Sequence, residues 1–101
     1  MTVILQIDFK FPADQLGEAL SKNALPLAES ITQESGFISK IWTENQETGE
    51  AGGIYFFKDK ASAQAYEKMH IARATQMGAK DIHSKIFDIN VPLTKVTRGQ
   101  Y

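Results

Sequence analysis

The segment "AYEKMHIAR", Ala65 to Arg73, concentrates the side chains best suited to acid–base or electrostatic work. At about 100° per residue, Tyr66, Met69, Arg73 and Met77 fall on one stripe of a helix, with His70 at its edge. A guanidinium in an otherwise apolar stripe needs an explanation, because burying an unpaired charge is costly. Three arrangements would satisfy it. Arg73 could pair internally with a carboxylate such as Asp8 or Glu44, or snorkel to solvent along its aliphatic stem. It could also border a polar cavity and meet a ligand there. His70 is the ionisable side chain near that stripe able to titrate around neutrality, so it could accept a substrate proton or donate a structural hydrogen bond. His83, on a later strand with Lys85 and Phe87 on its side, reads as structural or surface.

A second group lies in "KIWTENQETGEAGGIYFF", Lys40 to Phe57, which reads as two strands and a turn. A turn centred near Glu47-Thr48 sets Trp42 opposite Gly53 and Lys40 opposite Tyr55, all four on one face. A one-residue slip would reverse that face. Glycine opposite tryptophan leaves room for the indole to lie over bare backbone, which suffices as a packing explanation. The functional alternative makes Trp42 and Tyr55 the apolar wall of a pocket, with Gln6 supplied from the first strand.

Other chemistries find less support. Glu67 and His70 have the i, i+3 spacing of a carboxylate–histidine metal pair, but it occurs once, whereas di-iron bundles need two copies and further glutamates. No metal site is expected. Gly52-Gly53 leads into a strand rather than a helix, so it is no phosphate cradle. The chain has no cysteine, which removes disulfides, thiolate nucleophiles and Cys-based zinc sites.

With 101 residues the chain is one domain, 1–101, with one core. A net charge of −1 with mixed signs gives no electrostatic footprint for nucleic acid or anionic lipid. "MTVILQIDF" is short and meets Asp8 early, so it reads as a first strand rather than a signal peptide. No run approaches membrane-spanning length. A cytoplasmic location with neither nucleic-acid nor membrane partner is the expectation.

The elements that must position these residues follow from periodicity. Residues 2–10 alternate as a strand closed by Pro12. Helical spacing runs from about Ala13 to Glu34. Pro26, which would cost a helix interior about 3 kcal/mol, requires a restart capped by Asn23. Phe37 to Glu44 and "AGGIYFF" are strands two and three. A helix runs from an Asp59 cap to Met77 and stops at Gly78, and "DIHSKIFDI" is the fourth strand. The order βαββαβ predicts an α+β, ferredoxin-like domain with a four-stranded antiparallel sheet. Both sheet faces look apolar: Val3, Leu5, Ile7 and Phe9 on one side, with Ile4 opposite; Ile41, Ile54, Phe56 and Phe37 on one side of the hairpin, Trp42, Tyr55 and Phe57 on the other. One chain covers one face, so a homodimer through the second is expected. The alternative is a monomer whose tail, "NVPLTKVTRGQY", covers it.

"PLAESITQESGF" (26–37), "KIWTE" (40–44), "EAGGIYFF" (50–57), "AYEKMHIAR" (65–73) and "KIFDINVPL" (85–93), taken in this order, resemble the YdhR family, which carries a monooxygenase designation within the dimeric α+β barrel superfamily. The resemblance covers nearly the whole chain. It implies a ferredoxin-like protomer, a dimer whose two sheets form a barrel, and an oxygenase role. On that basis the expected function is a cofactor-independent monooxygenase acting with molecular oxygen on a small aromatic phenol or quinol. Arg73 would stabilise the phenolate and His70 would relay the proton. Trp42 and Tyr55 would position ring and peroxide, with Tyr66 and Gln6 lining the pocket. The alternative is a non-catalytic dimer that binds a small aromatic or hydrophobic metabolite, or a stress-response interaction module.

Overall fold

The computed structural model describes all 101 residues, Met1 to Tyr101. Four strands, β1 (Val3–Lys10), β2 (Phe37–Asn45), β3 (Glu50–Phe57) and β4 (Lys80–Asp88), form one antiparallel sheet in the order β2-β3-β1-β4. After β1 come a 3₁₀ turn at Ala13–Gln15, α1 (Glu18–Asn23) and α2 (Leu25–Ile31). Helix α3 (Lys60–Gln76) joins β3 to β4, and α4 (Val91–Val96) follows β4. The fold is α+β with the ferredoxin-like order expected from the sequence.

Helices α1, α2 and α3 pack over the sheet face that carries Val3, Leu5, Ile7, Tyr55 and Phe57, which form the core with Ile31, Ala63 and Tyr66. Each large apolar side chain removed from water there contributes about 1.5–3 kcal/mol. Helix α3 lies close to the sheet because Ala63 and Ala74, both buried, present little bulk at the contact. This turns the helix toward His70. The buried stripe is Ala63, Tyr66, His70 and Ala74, while Met69 and Met77, expected to face inward, are largely exposed.

Local chemistry sets the helix ends. Asp59 caps α3 by accepting the Ser62 N–H at 2.8 Å. At the other end Gly78 has φ +98°, and the Gly78 and Ala79 N–H groups return to the Thr75 and Ala74 carbonyls, closing a Schellman motif. The break before Pro26 falls one residue later than expected. Asn23 ends α1, Ala24 occupies the cap position without a side-chain bond, and Pro26 sits in the tolerant first turn of α2.

The hairpin register agrees with the expectation: Lys40 faces Tyr55 and Trp42 faces Gly53. One correction concerns Phe37. A bulge between Phe37 and Ser39 moves Phe37 to the helix side, where it meets the Phe57 ring edge-on at 5.9 Å instead of sharing the face of Ile41. Gly52 permits the close approach of β3 to β1, because a Cβ there would strike the Ile7 carbonyl. The other sheet face is partly open: Ile41 is 57 % and Phe87 45 % exposed, while Phe56 is covered by the stacked ring of Tyr101 at 5.7 Å.

Candidate active site

Two elements, β2 and α3, bring basic side chains together under the helical layer. From β2, Lys40 and Trp42 project to the helix side because their register partners, Tyr55 and Gly53, lie on it. Over Gly53 the space is taken by the Lys40 stem rather than by the indole, since a Cβ on Gly53 would collide with Lys40 Cε. The expected indole-over-glycine packing is thus corrected. Lys40 Nζ instead lies 3.2 Å from the Trp42 ring centroid and 4.5 Å from that of Tyr55.

These groups border an apolar cavity of about 60 Å³ between the sheet and helices α1, α2 and α3. Phe9, Ala51 and Tyr55 line it from the sheet, Leu20, Ala24 and Leu27 from α1 and α2, and His70, Ala74 and Met77 from α3. Trp42 is also a wall of an outer groove of about 390 Å³ that shares Leu20 and Ala24 with the cavity. No carboxylate lines the inner cavity.

Behind His70 stands Arg73. One of its Nη atoms donates to the Tyr66 hydroxyl at 3.2 Å and to His70 Nδ1 at 3.0 Å, while its Nε is buried without a partner. The ion pair expected as one explanation for Arg73 is not formed. Asp8 lies on the opposite sheet face, and the Glu44 carboxylate accepts the Gly17 N–H at 3.0 Å. Because guanidinium only donates, His70 Nδ1 must accept, which leaves the imidazole proton on Nε2. His70 is stacked on Tyr66, with ring centroids 5.3 Å apart, and is 5 % exposed. Burial, then the charges of Lys40 and Arg73, lower its pKa to about 4. His70 thus lines the cavity with its Nδ1 lone pair engaged by Arg73 and its proton on Nε2.

Burial also pushes the Lys40 ammonium down to about 7, with repulsion from Arg73 second. The aromatic faces beneath it favour the charged form and oppose that shift. Burial raises the phenols of Tyr55 and Tyr66, which keeps both protonated.

The expected site residues divide three ways. Trp42, Tyr55 and His70 meet at the cavity. Arg73 and Tyr66 stand behind His70, so Tyr66 supports Arg73 rather than lining the cavity. Gln6 is a correction: it pairs with Ile54 and Lys85 on the exposed face, one residue out of phase with Leu5 and Ile7. Lys40, which the hairpin register sets on the same face as Trp42 and Tyr55, joins them at the cavity as a residue the sequence reading does not assign to the site. Its signal was a charged residue sharing that face with Trp42 and Tyr55. Glu67 turns from His70 to accept the Ser84 hydroxyl at 2.6 Å, tying α3 to β4.

A comparison with curated proteins finds no match for the chain. A family model described as "Putative mono-oxygenase ydhR" matches residues 4–100, nearly the whole chain, and agrees with the architecture above. The chain belongs to this ydhR family.

Proposed function

We infer that the protein is a monooxygenase that binds a small aromatic phenol or quinol, stabilises its anion and needs no cofactor. The observation that carries this reading is an apolar cavity lined by Lys40 and His70 and by no carboxylate, with Arg73 bonded to His70 behind it. Positive charge without an internal counter-ion favours an anionic ligand, and an aromatic wall favours a flat one.

Such a substrate supplies its own electrons. The phenolate passes one electron to molecular oxygen, and the radical pair joins at a ring carbon bearing hydrogen. The peroxide then loses water to leave a carbonyl. One oxygen atom enters the product, the other leaves as water, and all four electrons come from the ring. The protein's part is to exclude water, hold the ring against Trp42 and Tyr55, and stabilise the anion through the Arg73–His70 pair. The outer groove beside Trp42 is the entry side.

The active unit is a homodimer joined through the open sheet face. Only 17 of 101 residues are buried in the single chain, and Ile41 and Phe87 remain exposed, which supports burial against a second copy.

Oxygen uptake by protein stripped of metal and flavin, given a panel of quinols, tests the activity. Uptake matched by carbonyl product, lowered about a hundredfold in Arg73→Ala, is expected. Saturable binding without oxygen uptake would assign the chain to the non-catalytic alternative.

A further inference from the structure

The reaction needs a proton acceptor, and the cavity leaves one candidate. Of its ionisable lining groups, His70 has its lone pair engaged by Arg73, and Tyr55 carries a buried hydroxyl proton. Lys40 remains. Its Nζ projects over Trp42 and Tyr55, and its stem lies in the gap left by Gly53.

The geometry points to Lys40 as the catalytic base of this site: its neutral amine takes the hydroxyl proton of the bound phenol and returns it to the peroxide. The assignment rests on the oxygenase reading and concerns one step of it. The O–H bond breaks and an N–H bond forms, giving phenolate beside ammonium. After oxygen adds, the ammonium protonates the peroxide. Lys40 then takes the proton from the ring carbon as the O–O bond breaks, and the departing hydroxide leaves with that proton as water. Oxygen is the oxidant, and the amine is unchanged at the end.

The surroundings suit this use. Tyr55 faces Lys40 from β3, and His70 and Arg73 from α3; Glu44, on the same strand, is held by Gly17. The cavity walls from α1 and α2 are Leu20, Ala24 and Leu27, none of which titrates. Burial and the Arg73 charge place the amine at about 7, so a neutral fraction exists at physiological pH.

Two measurements decide the assignment. In protein labelled with ¹³C at lysine Cε, the Lys40 resonance should titrate with a midpoint near 7. The quinol kcat/KM should rise with pH through that midpoint, and Lys40→Met should lower it about a hundredfold. Lys40→Arg, which keeps the charge but cannot accept a proton, should be as impaired. Gly53→Ala, which displaces the stem without removing the amine, should fall between these variants and the wild type. A midpoint at the ordinary 10.5, or activity retained in Lys40→Met or Lys40→Arg, overturns the assignment. If no quinol is consumed, the oxygenase reading fails, and bound 4-nitrophenol decides for Lys40. Anion absorbance gained on binding to wild type but not to Lys40→Met upholds proton transfer to Lys40, and equal absorbance in the two overturns it.

Discussion

Arg73 and His70 divide a task that either would perform poorly alone. The guanidinium holds the imidazole lone pair at 3.0 Å, and the imidazole presents its remaining N–H. Replacing His70 by phenylalanine keeps the stacking on Tyr66 but removes the acceptor for Arg73. Quinol turnover is expected to fall at least about tenfold, with the fold retained by circular dichroism. His70 and Lys40 also make stability depend on pH. Both have folded pKa values below their unfolded ones, so the folded chain binds fewer protons and stability rises with pH across each window. For His70 the loss comes as pH falls from 6.5 toward about 4. For Lys40 the gain runs from about 7 toward 10.5. Lys40→Met should therefore stabilise the protein at neutral pH, by roughly 1–3 kcal/mol in denaturant titrations, while impairing turnover. Unchanged or reduced stability would mean that the ammonium is not desolvated.

At the level of elements, the β2–β3 hairpin shows what was legible. Strand alternation and the polar turn sufficed to place Trp42 opposite Gly53 and Lys40 opposite Tyr55. The bulge after Phe37 was not legible, because an extra residue alters no composition signal and its effect depends on packing against Phe57. Helix α3 was found with its cap and stop, but its rotation was missed. Periodicity alone weighted Met69 and Met77 as core, whereas contact with the sheet favoured the small Ala63 and Ala74. The place of Gln6 was readable from its phase against Leu5 and Ile7; the pocket reading set that phase aside. Gly52 carries a testable consequence. Gly52→Ala should cost about 2–4 kcal/mol by thermal or chemical unfolding, because its Cβ would meet the backbone carbonyl of Ile7. A neutral effect would show that β1 and β3 are less closely apposed than described.

For the molecule as a whole, the question is what lies against the second sheet face. Tyr101 shields Phe56, yet Ile41 and Phe87 remain exposed. The proposed dimer would have a mass of two chains in dilute solution, and Ile41→Asp combined with Phe87→Asp should shift it to one. A wild-type mass of one chain would instead assign covering of that face to the tail. No helix is long and apolar enough to cross a membrane.

The central claim, that an acid-free cluster of basic groups holds an aromatic anion beside the indole, is open to one direct reading. Trp42 is the only tryptophan, so its fluorescence reports on the cavity and the groove beside it. Titration with a nitrophenolate and with the corresponding methyl ether compares two ligands of similar shape that differ in charge. The anion should quench saturably and bind at least about tenfold more tightly than the ether, and Arg73→Ala combined with Lys40→Met should erase the difference. Equal affinity for the two ligands, or a preference for the anion that survives the double substitution, would contradict the account.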